Sequence, residues 1–288
     1  FGAGKWLGTA RAFCMMLVNV TQGDSPVILG LPHGGTYVPD ALMARLNDRG
    51  RRLSDTDWHI AQLYQGLLAD VTTVEATFHR YVIDANRDPA GASLYPGANT
   101  TTLCPTTDFD GLDIWSEGQE PTLDEIAARR AQYHAPYHAA LAAEVERVKA
   151  RHGVAIVFDC HSIRSTIPFL FPGLLPVFSI GTNDGQTCAP QVSQAVSVPC
   201  FASKAFDAVL NGRFKGGWTT RHYGQPGTGV HAIQMELAQR AYLAAEAVPW
   251  TYAPRIAAPL RAVLGQILQS LDTLARSGVL THEGAFHA

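Results

Sequence analysis

The chain has 288 residues, 47% of them hydrophobic and 16% charged, with 22 Lys+Arg against 25 Asp+Glu for a formal charge of −3. That is a globular composition, long enough for one large α/β domain or two small ones, and it excludes a disordered chain. The near balance of charge leaves no global field for nucleic acid or an anionic membrane, so an anionic ligand has to be met by local arginines.

In chain order, residues 1–20 hold few basic residues and a short apolar stretch. They read as an extension, with Met15 or Met16 as a start, ahead of a single domain over 21–288. "SPVILGL" is a strand that ends in the turn "GLPHGGTYVPD", and "SDTDWHIAQLYQGLLAD" is a helix capped by Ser54 or Asp55. "TTVEAT" and "RYVIDAN" read as a pair of strands. A long helical region runs through "PTLDEIAARRAQYHAPYHAALAAEVERVKARHG", opened by Thr122 with Glu125 in capping-box spacing, crossed by Pro136 and closed by Gly153. "VAIVFDCHS" is the cleanest buried strand, "HAIQMEL" a later one, and "PRIAAPLRAVLGQILQSLDTLARSG" a terminal helix. Two Gly/Pro-rich stretches, 89–121 and 171–190, have the length of functional covers or irregular insertions. With no repeat, low-complexity tract or linker, the alternation implies one α/β layered domain.

The chemistry gathers at strand ends. His33 follows the first strand inside a glycine-rich turn, and Asp159 and His161 close "FDCHS". The C-terminal edge of an open α/β sheet is where ligands bind, so both histidines can converge on one rim. Alone, His33 would be an ordinary turn residue. Two neutral imidazoles and a carboxylate, however, form a common ligand set for one catalytic zinc. The carboxylate comes from "DTDWH": Asp55 suits a helix cap, so Asp57 is preferred as the ligand, with Asp55 as the alternative. "HRYVIDANRDP" holds Arg80, Asp84, Asn86 and Arg87, and the Asn-Arg corner suits a carboxylate because a guanidinium donates two parallel hydrogen bonds. An ordinary surface ion pair with Asp84 or Asp88 is the competing reading. "NGRFKGGWTTRHYG" adds Arg213, Lys215, Arg221 and His222. Glu236 interrupts an apolar strand, where a carboxylate is costly unless paired or functional, and a general base justifies that cost. His59, His79, His134, His138 and His152 read as structural. No P-loop, G-x-G-x-x-G turn or G-x-S-x-G elbow is present, which argues against nucleotides and a serine nucleophile. Five cysteines (Cys14, Cys104, Cys160, Cys188, Cys200) without CxxC spacing point to reduced thiols and a cytoplasmic protein. No apolar stretch has the length of a membrane span.

The stretches "PHGGTYVPD", "DTDWHI", "RYVIDANRDP", "DCHSIRS", "NGRFKGGWTTRHYG" and "GVHAIQMELAQRAYL" occur in order and resemble the N-formylglutamate amidohydrolase (formylglutamate deformylase) family. That family is similar to the zinc carboxypeptidases and aspartoacylases, which implies a mixed central sheet wrapped by helices. In that group the carboxylate ligand stands three residues after the first histidine, where this chain has Thr36, so Asp57 takes its place. The resemblance implies zinc on His33, Asp57 and His161, with Glu236 as general base. It further implies Arg80 polarising the scissile carbonyl, and Asn86 and Arg87 holding a substrate carboxylate. With Arg221 and Arg164 added, the two carboxylates of N-formyl-L-glutamate are matched. The products are formate and L-glutamate, in the last step of a histidine-degradation route. The rival readings are a related zinc hydrolase of another N-acyl amino acid, and a catalytically silent small-acid binding protein on the same fold.

Overall fold

The computed structural model describes residues 16–280. The expectations for Cys14, Met15 and the first residues of the extension lie outside them. The elements run β1 (Val18–Thr21), β2 (Val27–Leu31), α1 (Asp40–Met43), α2 (Ile60–Tyr64), β3 (Thr72–Ala76), α3 (Leu123–Arg129) and α4 (Ala135–His152). They continue with β4 (Ala155–Ile163), β5 (Phe178–Gly181), α5 (Pro190–Ala202), β6 (Ala208–Leu210), α6 (Trp218–Tyr223), β7 (Val230–Ala238) and α7 (Pro254–Arg276).

The strands form one mixed seven-stranded sheet in the order β1-β3-β2-β4-β7-β5-β6. β3, β2, β4 and β7 are parallel neighbours, while β1 and β5 join antiparallel to β3 and β7. β2, β4 and β7 are buried along their whole length, which is why they read as nearly continuous apolar runs. Period-two alternation sends their side chains to two separate cores. Leu29, Leu31, Ile156, Phe158, Ile233 and Met235 pack toward the α7 stripe of Leu260, Leu264, Ile267, Leu268 and Leu271. Ile28, Ala155, Val157 and Ala232 face Tyr137, Leu141, Val145 and Val148 of α4. The result is a sheet covered by helices on both faces.

Four expectations are corrected. The helix expected from Ser54 or Asp55 begins at Ile60. Leu53 and His59 hold left-handed φ of 51° and 57°, which breaks a helical run through the acidic segment. "RYVIDAN" is not a strand: Val82 N–H donates to His79 O (2.9 Å), turning the chain before Asp84 N–H meets Leu103 O. The stretch 171–190 contains β5, whose four buried residues were too short to show against the surrounding Gly and Pro. The end of the extension expected over 1–20 also enters the sheet, since Val18, Asn19 and Val20 pair with Ala76, Glu75 and Val74.

The long helical region is capped as expected, with Thr122 and Glu125 bonding reciprocally, and Gly153 closes it at φ 75°. Its interior departs from α geometry: residues Arg130–His134 form a π-helical turn just before Pro136. Proline lacks an N–H and its ring crowds the preceding turn, so a wide turn there lets the rod continue instead of breaking. Among the described residues no helix is long and apolar enough to cross a membrane, and Cys104, Cys160, Cys188 and Cys200 are free thiols.

Candidate active site

Strand register assembles the centre. β4 and β7 lie parallel with Asp159 beside Gln234 and His161 beside Glu236, so two i, i+2 pairs make a square of polar side chains on one sheet face. β2 pairs Gly30 with Asp159, and the chain then carries His33 over the same edge. The turn after β2 needs its glycines: a Cβ on Gly35 would stand 2.3 Å from the carbonyl carbon of Thr77.

His33, Asp57 and His161 each offer one ligand atom, and these atoms lie within 4.8 Å of one another. The two Nδ1 atoms are 3.2 Å apart, and Asp57 Oδ2 is 3.4 Å from that of His161 and 4.0 Å from that of His33. Ligand atoms about 2.0–2.1 Å from a tetrahedral zinc stand about 3.3–3.4 Å from each other, so the spacing suits such an ion. The outer contacts agree. His33 Nε2 donates to Asp84 Oδ1 at 2.7 Å, which turns the Nδ1 lone pair toward the cluster. Asp159 Oδ1 and Asn86 Nδ2 both lie 3.0 Å from His161 Nε2. Asp57 Oδ1 accepts from Arg80 (2.6 Å) and its Oδ2 from the Ser162 N–H (3.0 Å).

Charge makes the same point. Asp57, Asp84, Asp159 and Glu236 are all buried around this centre, against Arg80 and Arg87. Asp84 Oδ2 has no hydrogen-bond partner among the described residues, and the close contact of Asp159 Oδ1 is with His161 Nε2. Burial disfavours ionised Asp57 and Asp84, yet Arg80 beside the one and Arg87 with His33 beside the other hold both below the ordinary carboxylate range. Burial, reinforced by Arg80, lowers His33 to about 4 and keeps it neutral. Burial also works against charge on His161, but Asp159, Asp57 and Glu236 outweigh it and raise this histidine, so a proton sits where a cation would be welcome. A divalent ion would supply that charge and displace the proton. Burial raises Glu236 to about 8.

The residues expected from the sequence are mostly brought together. His33, Arg80, Asn86, Arg87, His161 and Glu236 line one cavity, and Asp57 stands behind Arg80. Asn86 is seated by Gly217: its Oδ1 accepts from Thr219 N–H, and a Cβ at 217 would sit 2.2 Å from its Nδ2. Thr36 is exposed, and Asp55 accepts instead from Tyr81 Oη and Phe109 N–H, so Asp57 is the carboxylate at the centre. Two expected substrate readers are not in the cavity wall. Arg164 donates to Asp110 (2.9 Å) in a separate depression beside Glu246 and Trp250. Arg221 donates to Gly216 O and lies over the Tyr95 ring. The wall instead includes Tyr95, Thr100, Thr101 and Arg213. Only Arg213 had a signal in the sequence, as a cation in a glycine-rich run; the others come from an irregular loop without periodicity.

The family model for N-formylglutamate amidohydrolase matches residues 25–243. The chain is 43% identical over 256 residues to the N-formylglutamate deformylase of Pseudomonas aeruginosa, covering 88% of this chain and 96% of that protein. It is 44% identical over 258 residues to the N-formylglutamate deformylase of Pseudomonas putida, with coverage of 88% and 95%. Among solved structures, the N-formylglutamate amidohydrolase of Ralstonia eutropha superposes with a TM-score of 0.74 at 25% identity, covering 91% of this chain and 99% of that one. A gene product of Agrobacterium tumefaciens shares the fold at a TM-score of 0.67 and 16% identity, covering 90% and 96%. On the span of the family match and the identity to two full-length relatives, the chain belongs to the N-formylglutamate amidohydrolase family.

Proposed function

We propose that this protein is a metal-dependent deformylase that hydrolyses the formamide bond of N-formyl-L-glutamate to formate and L-glutamate. The observation that carries the reading is the buried His33–Asp57–His161 group, set beside a buried glutamate in an arginine-lined cavity of a chain from this family. One zinc or similar divalent ion, held by His33, Asp57 and His161, would polarise the formyl carbonyl and make water acidic enough to ionise near neutral pH. Asp84 and Asp159 orient the two imidazoles.

Glu236 is the proton carrier. Burial raises its carboxyl to about 8, and positive charge beside it would draw it back toward the ionised base. It takes one proton from the attacking water and delivers it to the amide nitrogen as the C–O bond forms and the C–N bond breaks. Arg80, in the cavity wall, offers positive charge to the oxyanion that develops on the formyl oxygen. Asn86 and Arg87 face the α-carboxylate. Arg87 is braced for this by Thr101, to which its Nε and Nη2 donate at 2.9 Å. The four described thiols, free and buried, suit a reducing cytoplasm, and the products suit the end of a histidine-degradation route.

The test is formate release from N-formyl-L-glutamate, with the metal content of the same preparation measured by elemental analysis. Turnover that tracks bound metal is expected. Formate release at full rate after complete metal removal would overturn the reading.

A further inference from the structure

Arg213 is the cavity cation without an anionic partner. Among the described residues Arg80 pairs with Asp57 and Arg87 approaches Asp84 at 3.6 Å, whereas Arg213 forms no ion pair. Its neighbours hold the guanidinium without neutralising it. Nε donates to Leu170 O at 2.9 Å and Nη2 to Asn99 O at 2.7 Å, two neutral acceptors that set the plane of the fork. The group also lies over the rings of Tyr95 (5.1 Å) and Phe214 (5.4 Å). Tyr95 is itself fixed: Arg221 covers it at 5.2 Å, its hydroxyl donates to Gly216 O and it accepts from Lys215 N–H. Three loops therefore converge to hold one unneutralised guanidinium in a prescribed orientation. Burial, the largest influence, and Arg87 oppose its charge and outweigh the favourable effects of Tyr95 and the more distant Glu236, a setting in which an incoming anion is welcome.

We infer that Arg213 is the specificity-determining residue that receives the side-chain carboxylate of the N-formyl amino acid, so that the cavity selects acidic over neutral side chains. The inference rests on the reading of the protein as a deformylase. In that reading the formyl group lies at the His33–Glu236 end and Arg87 takes the α-carboxylate, so the second carboxylate needs a second cation in the same cavity. Arg213 is in that wall, and Arg164 and Arg221 are not.

The experiment compares N-formyl-L-glutamate with its neutral isostere N-formyl-L-glutamine on wild type, Arg213→Gln and Arg213→Lys. In parallel, calorimetry measures binding of L-glutamate and L-glutamine to the metal-loaded proteins. Wild type should prefer the glutamate substrate in kcat/KM. Arg213→Gln should reduce that preference about 10- to 100-fold, the range of one charge-assisted hydrogen bond, mainly through KM. Arg213→Lys should recover part of it. A preference that is the same in Arg213→Gln as in wild type, or equal losses on both substrates, would overturn the assignment and leave Arg213 as a loop brace. If wild type releases formate from neither substrate, the deformylase reading fails by itself. Calorimetry then decides on Arg213: glutamate bound more tightly than glutamine, with that difference lost in Arg213→Gln, sustains it, and no difference in wild type sinks it.

Discussion

A carboxyl within a nine-residue buried strand has to be stabilised by something, and among the described residues the only side chain that hydrogen-bonds Glu236 is Gln234, at 3.4 Å. If Glu236 moves the proton, Glu236→Gln keeps the shape but cannot accept it, and kcat should fall roughly 10²- to 10⁴-fold with metal content unchanged. Turnover near that of wild type, measured on a preparation of known metal content, would remove the residue from the mechanism. The histidines behave differently. His33→Ala and His161→Ala should each lose the ion, and Asp84→Asn, which weakens the acceptor behind His33, should reduce metal affinity about 10- to 100-fold without abolishing it. Metal titrations on the three variants check this, and full occupancy in His33→Ala and His161→Ala would refute the ligand set. His33, His161 and Glu236 were legible because strand ends and an odd polar residue in an apolar run are local signals. Asp57 was legible only as a preference over Asp55, and the difference between them is made by where Arg80 and Tyr81 reach, which no spacing encodes.

The π-helical turn over 130–134 and the helix over 135–152 together do more than cover the sheet. His138 Nε2 donates to Ala85 O at 2.7 Å and His134 Nε2 to Arg87 O at 3.0 Å, so two consecutive helical turns grip the carbonyls on either side of Asn86. The sequence showed these histidines only as an i, i+4 pair without a metal frame. Their target is a loop about 50 positions earlier that was read as a strand, so neither the π-helical turn nor the grip was visible. Apolar periodicity was enough for β2, β4, β7, α4 and α7, which are long or wholly buried, and it failed for β5 and the 54–70 segment, where turn geometry overrides it. Burial, then the nearby His134, lowers His138 from 6.5 to about 3. A group whose folded pKa is depressed in this way stabilises the fold fully above about pH 6.5, where it is neutral in both states. That contribution is lost as pH falls from 6.5 toward 3, because the unfolded chain binds the proton first. One such proton is worth about 1.4 kcal/mol per pH unit. Denaturant unfolding between pH 6 and 4 should therefore show wild type losing stability more steeply than His138→Gln by about that slope, and equal slopes would mean that His138 does not stay neutral in the fold.

At the scale of the whole molecule, the two cores are packed from apolar side chains of the strands, α4 and α7, and the His33–Asp57–His161 group stands at the edge of the sheet. What the ion would settle is the concentration of carboxylates at the C-terminal edge of β2, β4 and β7, where Asp57, Asp84, Asp159 and Glu236 are buried together. Two consequences follow for the metal-free protein. It should keep its far-ultraviolet circular dichroism, because layers of helix and strand do not depend on the site. It should melt at a lower temperature, because a ligand that binds only the native state stabilises it by about 2.7 kcal/mol at a hundredfold excess over Kd. For a chain of this size each kcal/mol shifts Tm by about 2–4 °C, so chelation should lower Tm by roughly 5–10 °C and added zinc should restore it. The check is a thermal melt before chelation, after it, and after reconstitution, each with elemental analysis. Collapse of the secondary structure on chelation would make the ion a structural element of the fold. An unchanged Tm in a preparation shown to have lost its metal would mean that the ion does not distinguish the native state from the unfolded one, and the buried carboxylates would then need another source of positive charge.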